Sequence, residues 1–285
     1  MENKNVDLFG EEIVKDVILR EQFIEPPFSV LDTKSGNWQR RKKLWGTLGI
    51  KSEIGRDSSV INMDTTSKEK NSTEYVSIFD PALCEVLYHW FCPVGGTILD
   101  PFSGGSVRGI VANKIGFKYT GIDIREEQIQ SNYEQGKDIL GENCPKWICN
   151  DSNLELDLFD CSFDMVFSCP PYADLEVYSN LDGDISNKPY KQFLELYESI
   201  ILKSCKLLKS GGYACFVVGE VRDKNGYYYG FVPDTIKAFE KAGVKFYNEA
   251  ILLNAIASAS MRANGNMKSQ KLVKVHQNVL IFKKP

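Results

Sequence analysis

Four short apolar runs recur through the middle of the chain, each ending at an acid or a proline corner, with helix-length segments between them. Thr97–Leu99 runs into Asp100, Tyr119–Ile122 into Asp123, Lys146–Cys149 into Asn150 and Asp151, and Asp164–Ser168 into Cys169. Strands that alternate with helices predict a mostly parallel sheet covered on both faces. The helical pattern is carried by Leu83, Val86, Leu87, Trp90 and Phe91, by Val107–Ile115, by Tyr190–Leu208 and by Pro233–Ala242. Glycines close two of these, at Gly211-Gly212 and Gly243. Three further strands are read at Tyr213–Val218, Lys245–Leu253 and Gln277–Phe282. The expected fold is α/β and doubly wound, with seven strands. In such a sheet ligands bind beyond the carboxyl ends of the strands, so Asp100, Asp123, Asp151 and Ser168-Cys169 gather at one edge as a site.

At 285 residues, 43% hydrophobic, the chain can build one substantial core plus an extension. Residues 1–71 mix aromatics, glycines and basic side chains without a regular period and are read as an accessory segment, with substrate recognition as its expected task. Residues 72–285 form the expected catalytic domain. No apolar run approaches the roughly 20 residues that span a bilayer, and the polar start MENKNVDLFGEEIVKD has no signal-peptide core. Eight cysteines without a CxxC pair are read as reduced thiols of a cytoplasmic protein. Two distant histidines, His89 and His276, argue against a metal site. A net charge of −4 excludes a wholly basic nucleic-acid binder and leaves room for a local basic face. Arg40, Arg41, Lys42 and Lys43 are one candidate, and the C-terminal Lys268, Lys271, Lys274, Lys283 and Lys284 another; the alternative is solvated surface.

Asp100-Pro101-Phe102-Ser103-Gly104-Gly105-Ser106 joins the first of these strands to a helix. Adjacent glycines let the backbone approach a ligand without a Cβ in the way. Asp123, about twenty residues on, is placed to accept hydrogen bonds from ribose hydroxyls. Neither GxGxxG nor the GxxxxGK[ST] phosphate loop is present, and a carboxylate beside the turn suits an amine-bearing or cationic ligand.

DPFSGG resembles the cofactor motif of the amino-directed DNA methyltransferases, with Gly-x-Gly shifted to Ser-Gly-Gly, and Gly95–Leu99 matches its lead-in. The resemblance implies a Rossmann-like fold of the S-adenosylmethionine (SAM) methyltransferase type, with S-adenosylhomocysteine as product and no metal. It implies that Phe79 and Asp80 lie in the first cofactor-contacting segment. Asp100, Pro101, Phe102, Gly104, Gly105 and Ser106 would hold the methionine part, Asp123 with Ile124 the ribose, and Asp151 with Ser152 the adenine; Ser168 completes the cofactor set. For Asp151 the alternative is a helix N-cap.

Phe167-Ser168-Cys169-Pro170-Pro171-Tyr172 is the most informative segment. Two prolines cannot extend a strand ladder, so they fix a stiff corner followed by an aromatic face. An exocyclic amino nitrogen is a poor nucleophile because its lone pair is delocalised. A carbonyl acceptor that holds its N–H groups favours the pyramidal nitrogen, and attack follows from positioning. The base must leave the duplex to reach such a corner. The segment resembles the family's [Asp/Asn/Ser]-Pro-Pro-[Tyr/Phe] motif, which assigns Cys169, Pro170, Pro171 and Tyr172 as catalytic. Cys169 departs from the pattern, and a thiol is a weak acceptor; Ser168 or Asp174 are the substitutes considered. Cys169 as a covalent nucleophile, with Glu220 as the partner glutamate of cytosine-C5 enzymes, is the minor alternative.

The polar segment Asp174–Pro189 is expected to close over substrate. Ala257–Gln270 is read as a flexible basic loop that contacts DNA through Arg262 and Lys268. The closing stretch Lys274–Lys283 resembles the family's last strand, and PPFSVLDTKSGNWQRRKKLW resembles a segment ahead of methylase domains in bacteriophage proteins. The expected activity is methyl transfer from SAM to the exocyclic amino group of a DNA base, adenine N6 ahead of cytosine N4, in a restriction–modification or phage setting. An RNA base methyltransferase and a non-catalytic nucleic-acid-binding relative are the alternatives. The partner is DNA, or RNA on the second reading, with homodimerisation open and no membrane.

Overall fold

The computed structural model describes residues 19–50, 79–172, 179–254 and 259–285. The expected boundary between residues 71 and 72 lies outside them.

The strands are β1 (Val30–Asp32), β2 (Thr97–Asp100), β3 (Lys118–Asp123), β4 (Lys146–Cys149), β5 (Phe163–Ser168), β6 (Leu208–Val218), β7 (Lys245–Leu253) and β8 (His276–Lys283). They form one sheet in the order β1-β7-β8-β6-β5-β2-β3-β4. β8 runs antiparallel to both neighbours, and every other pairing is parallel. The order reverses between β5 and β2, which opens a crevice beyond the carboxyl ends of those two strands.

The sheet has eight strands where seven were expected. The extra one, β1, pairs with β7 through Val30↔Ile251 to Asp32↔Leu253. Its three residues bury only Leu31, too little to leave a period in the sequence.

The helices are α1 (Leu19–Phe23), α2 (Gly36–Gly46), α3 (Pro81–Phe91), α4 (Val107–Lys114), α5 (Glu126–Leu140), α6 (Ser152–Glu155), α7 (Tyr190–Leu207), α8 (Phe231–Lys241) and α9 (Ala259–Lys268). α3 begins where Asp80 accepts a hydrogen bond from the Ala82 amide, 2.9 Å, with Pro81 in its first turn. α7 buries Phe193, Tyr197, Ile200, Ile201, Ser204 and Cys205, a stripe at helical spacing.

Alternate strand residues serve opposite cores, as the two-residue period of a strand requires. Ile98, Met165, Phe167, Cys215 and Val217 join Leu83, Ile110 and Trp38 on the α2–α3–α4 face. Leu99, Val166, Phe216 and Val218 join Phe193, Tyr197 and Phe239 on the α7–α8 face. Truncating a buried phenylalanine in either layer costs about 3–5 kcal/mol, so the central strands are held on both sides.

Residues 19–50 are built onto the sheet edge. Ser35 caps α2 by accepting from the Trp38 amide. Trp38 and Trp45, seven apart, fall on one helix face and are buried. Their indoles donate to Asp80 (3.0 Å) and Glu85 (2.7 Å) of the α3 region.

Candidate active site

The strand ends predicted to gather do so. A cavity of about 640 Å³, within the usual range for small-ligand sites, lies in the crevice. Its wall includes Phe79, Asp80, Pro101, Phe102, Gly104, Gly105, Asp123, Ile124, Asp151 and Ser152, and also Cys169, Pro170, Pro171 and Tyr172. The glycine loop and the proline corner therefore share one space.

The glycine loop is fixed from below. The Ser103 amide donates to the Ile122 carbonyl (2.9 Å), the Gly104 amide to Asp123 (3.0 Å), and Asn132 Nδ2 to the Gly104 carbonyl (2.7 Å). Gly104 sits at φ +47°, a conformation that favours glycine. Beneath, a Cβ on Gly121 would lie 2.6 Å from Ser103 Cβ, so the loop seats only on a glycine. A Cβ on Gly105 would meet nothing within 4 Å, so that backbone faces open space.

Asp123 also accepts from the Arg125 amide (2.9 Å). Burial pushes its carboxyl above the usual carboxylate range, against the lowering effect of Arg125 and of the two amides. Asp151 caps α6 by accepting from the Asn153 amide through Oδ1 (2.8 Å), so the N-cap reading holds. Its Oδ2 faces Gly183, where a Cβ would lie 2.8 Å away.

Tyr172 is set by two contacts. Gln277 Nε2 donates to its hydroxyl at 2.7 Å, and the ring meets Phe231 edge-on at 6.2 Å between centroids. Cys169 Sγ is 3.9 Å from the same hydroxyl. Lys274 also borders the cavity, and burial lowers its ammonium pKa, partly offset by Glu220.

Several expectations are corrected. Asp100 does not reach the cavity: it is fully buried and accepts from Arg108 Nε (2.6 Å), Tyr119 (2.7 Å), Ser168 (2.6 Å) and the Phe102 amide (3.1 Å). Four donors saturate the carboxylate, so it braces the loop from within. Ser168 is turned inward to Asp100 for the same reason, and Ser106 is buried with its hydroxyl on Gln135 (2.8 Å). Ser152, though at the wall, donates its hydroxyl to the Pro101 carbonyl.

The basic run 40–43 is not one face. Consecutive helix residues point about 100° apart, so Arg41 pairs with Glu85 (2.6 Å) and Lys42 with Asp80 (3.4 Å), leaving Arg40 and Lys43 exposed. Residues 259–268 are a helix, α9, where a flexible loop was expected; Arg262 borders the cavity and Lys268 is exposed. Glu220 accepts from the Phe231 (3.2 Å) and Val232 (3.0 Å) amides, capping α8, so it stands as a cap and not as a partner for Cys169. Asp174 lies outside the described residues. The described end of its segment, Gly183 to Ile185, borders the cavity beside Asp151 and Ile124.

Residues 17–134 match the model of the DNA methylase family of the N6/N4 type. The chain matches no curated protein sequence. A Pyrococcus horikoshii protein provisionally assigned as an RNA methyltransferase superposes with a TM-score of 0.51 at 12% identity, covering 86% of this chain and 98% of that one. TrmN from Thermus thermophilus superposes at 0.49 and 15% identity, covering 73% of this chain; the match spans 49% of that protein's length. The first of these shows the fold: a SAM-methyltransferase-like α/β sheet.

The SAM that the motif resemblance implies suits the cavity. Gly105 offers an open backbone face, and Asp123 and Asp151 offer acceptors for hydroxyl and amino groups. Among the described residues no group of His, Cys, Asp and Glu is arranged to hold a metal, and no helix is long and apolar enough to cross a membrane. All eight cysteines are outside disulfides.

Sequence reasoning missed Thr33 and Gln39, which border the cavity from the N-terminal segment, and Gln277 beside the proline corner, where Lys274 of the C-terminal basic candidates also lies. Only Gln277 had a signal, its place in the motif-like closing stretch.

Proposed function

We propose that the protein transfers a methyl group from SAM to the exocyclic amino group of a base in DNA, adenine N6 ahead of cytosine N4. The observation that carries this is the shared cavity: the glycine loop with Asp123 and Asp151 on one wall, Cys169-Pro170-Pro171-Tyr172 on the other. When bound, SAM supplies an electrophilic methyl on a sulfonium.

The chain's own residues do the rest. Gly104, Gly105, Asp123 and Asp151 hold the cofactor, while Asp100 and Arg108 keep the loop rigid. The Pro170 carbonyl and the corner around it accept the amino N–H groups, which favours a pyramidal nitrogen. Tyr172, steadied by Gln277, stacks on a base that has left the duplex. Cys169 is not required as a nucleophile, because a positioned amino nitrogen attacks the methyl directly. Residues 1–71 serve the 72–285 catalytic unit as an accessory segment, and the setting is a bacterial or phage-infected cytoplasm.

The test is transfer of labelled methyl from SAM to duplex DNA, with tRNA and rRNA as competitors for the assignment. Incorporation into duplex DNA is expected. Incorporation into RNA alone assigns the second reading, and cofactor binding without transfer to either assigns the non-catalytic one.

A further inference from the structure

Helix α9 is unlike the other long helices of the sheet: among its residues only Ala259 is buried. Its face at helical spacing, Met261, Asn264, Gly265 and Lys268, is exposed throughout, with Met261 at 79%. Asn264, Gly265 and Asn266 are poor helix formers, so neither propensity nor an apolar stripe explains why this face is presented.

The surroundings of α9 are strongly charged. From Ile251 to His276 the sequence has four Lys and Arg and no Asp or Glu, in a chain whose net charge is −4. The Lys271 side chain packs over the turn at Gly226. There Arg222 lies over the Tyr228 ring, 3.8 Å to the centroid, and donates to the Gly226 carbonyl at 2.6 Å. Tyr227 on that turn is 74% exposed. Arg262, in the first turn of α9, borders the cavity, as does Lys274 beyond it.

We infer that α9 is the reading helix of this protein, lying in the major groove of duplex DNA beside the cavity mouth, with the Arg222–Tyr228 turn and Lys271 on the flanking phosphates. The major groove admits an α-helix, and Asn, Lys and Arg are the side chains that address adenine and guanine edges there, with apolar groups meeting the thymine methyl. Gly265 in the middle of the exposed face permits close approach to the base edges. Phosphates are matched by the cations at the turn and by Arg262, Lys268, Lys271 and Lys274 in the acid-free stretch around α9. Duplex DNA is favoured over single-stranded RNA because the exposed element is a helix face of base-reading residues, not an aromatic platform. The inference rests on the DNA reading above and adds where the sequence is read.

The experiment compares the wild type with Asn264→Ala/Lys268→Ala in two measurements on the full chain. Fluorescence anisotropy follows binding of labelled duplex DNA and of single-stranded RNA. Labelled methyl transfer to a randomised duplex library follows sequence preference. Duplex affinity is expected to fall about tenfold or more, and base preference to relax at one or two positions, with SAM affinity unchanged. Duplex affinity and preference that both stay at wild-type values overturn the inference, as does a loss confined to RNA. If the wild type transfers no methyl to DNA, the DNA-methylation reading fails, and the anisotropy arm still decides the helix: a duplex Kd unchanged in the double variant, or no duplex binding by the wild type, overturns it.

Discussion

Asp100 and Arg108 form an ion pair beneath the cofactor loop, Nε to Oδ2 2.6 Å, with side-chain exposures of 0% and 7%. Arg108 also donates to the Phe102 and Ser103 carbonyls, so the pair ties the end of β2 to the loop above it. Breaking one partner of a buried pair leaves an uncompensated charge and costs about 3–5 kcal/mol. Arg108→Leu is expected to lower unfolding free energy by about that amount, read as a lower urea midpoint at unchanged m value. An unchanged midpoint would show that the pair is not a strut.

Tyr172 is held by Gln277 and Phe231 but presents itself to the cavity. Tyr172→Ala should lower turnover on a methyl acceptor by about 10²-fold, the scale of losing positioning, with cofactor Kd little changed. Equal losses in both would make Tyr172 a structural wall. Gln277→Leu should lower turnover less, because Phe231 still orients the ring.

Asp123 gives a pH signature. Its carboxyl is raised by burial, so the folded protein binds this proton more readily than the unfolded chain. Its contribution to stability is full below the unfolded value and is lost as pH rises through the raised one. Cofactor binding runs the other way, since ribose hydroxyls need the carboxylate as acceptor. Calorimetry from acid to neutral pH should show SAM affinity rising through a midpoint above the ordinary carboxylate value. Asp123→Asn should flatten that rise; a rise that persists would place the titration elsewhere.

Cys169 occupies the first position of the proline corner, near the Tyr172 hydroxyl. Cys169→Ser keeps a small polar group there and should retain substantial methyl transfer. Complete loss, together with a trapped protein–DNA adduct in the wild type, would establish a covalent thiol mechanism instead.

Much of this was legible in the chain. Strands β2 and β5 are central and largely buried on both faces, so they read as short apolar runs, and the residues at the strand ends mark the crevice. What could not be read is where side chains from separate elements converge. Asp100 looks like a ligand-binding acid at a strand end, yet Arg108, Tyr119 and Ser168 arrive from three other elements and saturate it. β1 is three residues with one buried side chain, and α2 hides two core tryptophans among basic residues. α9 was missed because Asn264, Gly265 and Asn266 oppose helix propensity and its exposed face leaves no apolar period.

The most direct measurement is mass spectrometry of nucleosides from duplex DNA incubated with the protein and SAM. N6-methyladenosine in its deoxy form, or failing that N4-methyldeoxycytidine, is the expected product, with formation abolished by Asp123→Ala. A 5-methyldeoxycytidine product, or unmodified DNA beside methylated RNA, would contradict a cavity built to present an exocyclic amino group of DNA to the methyl donor.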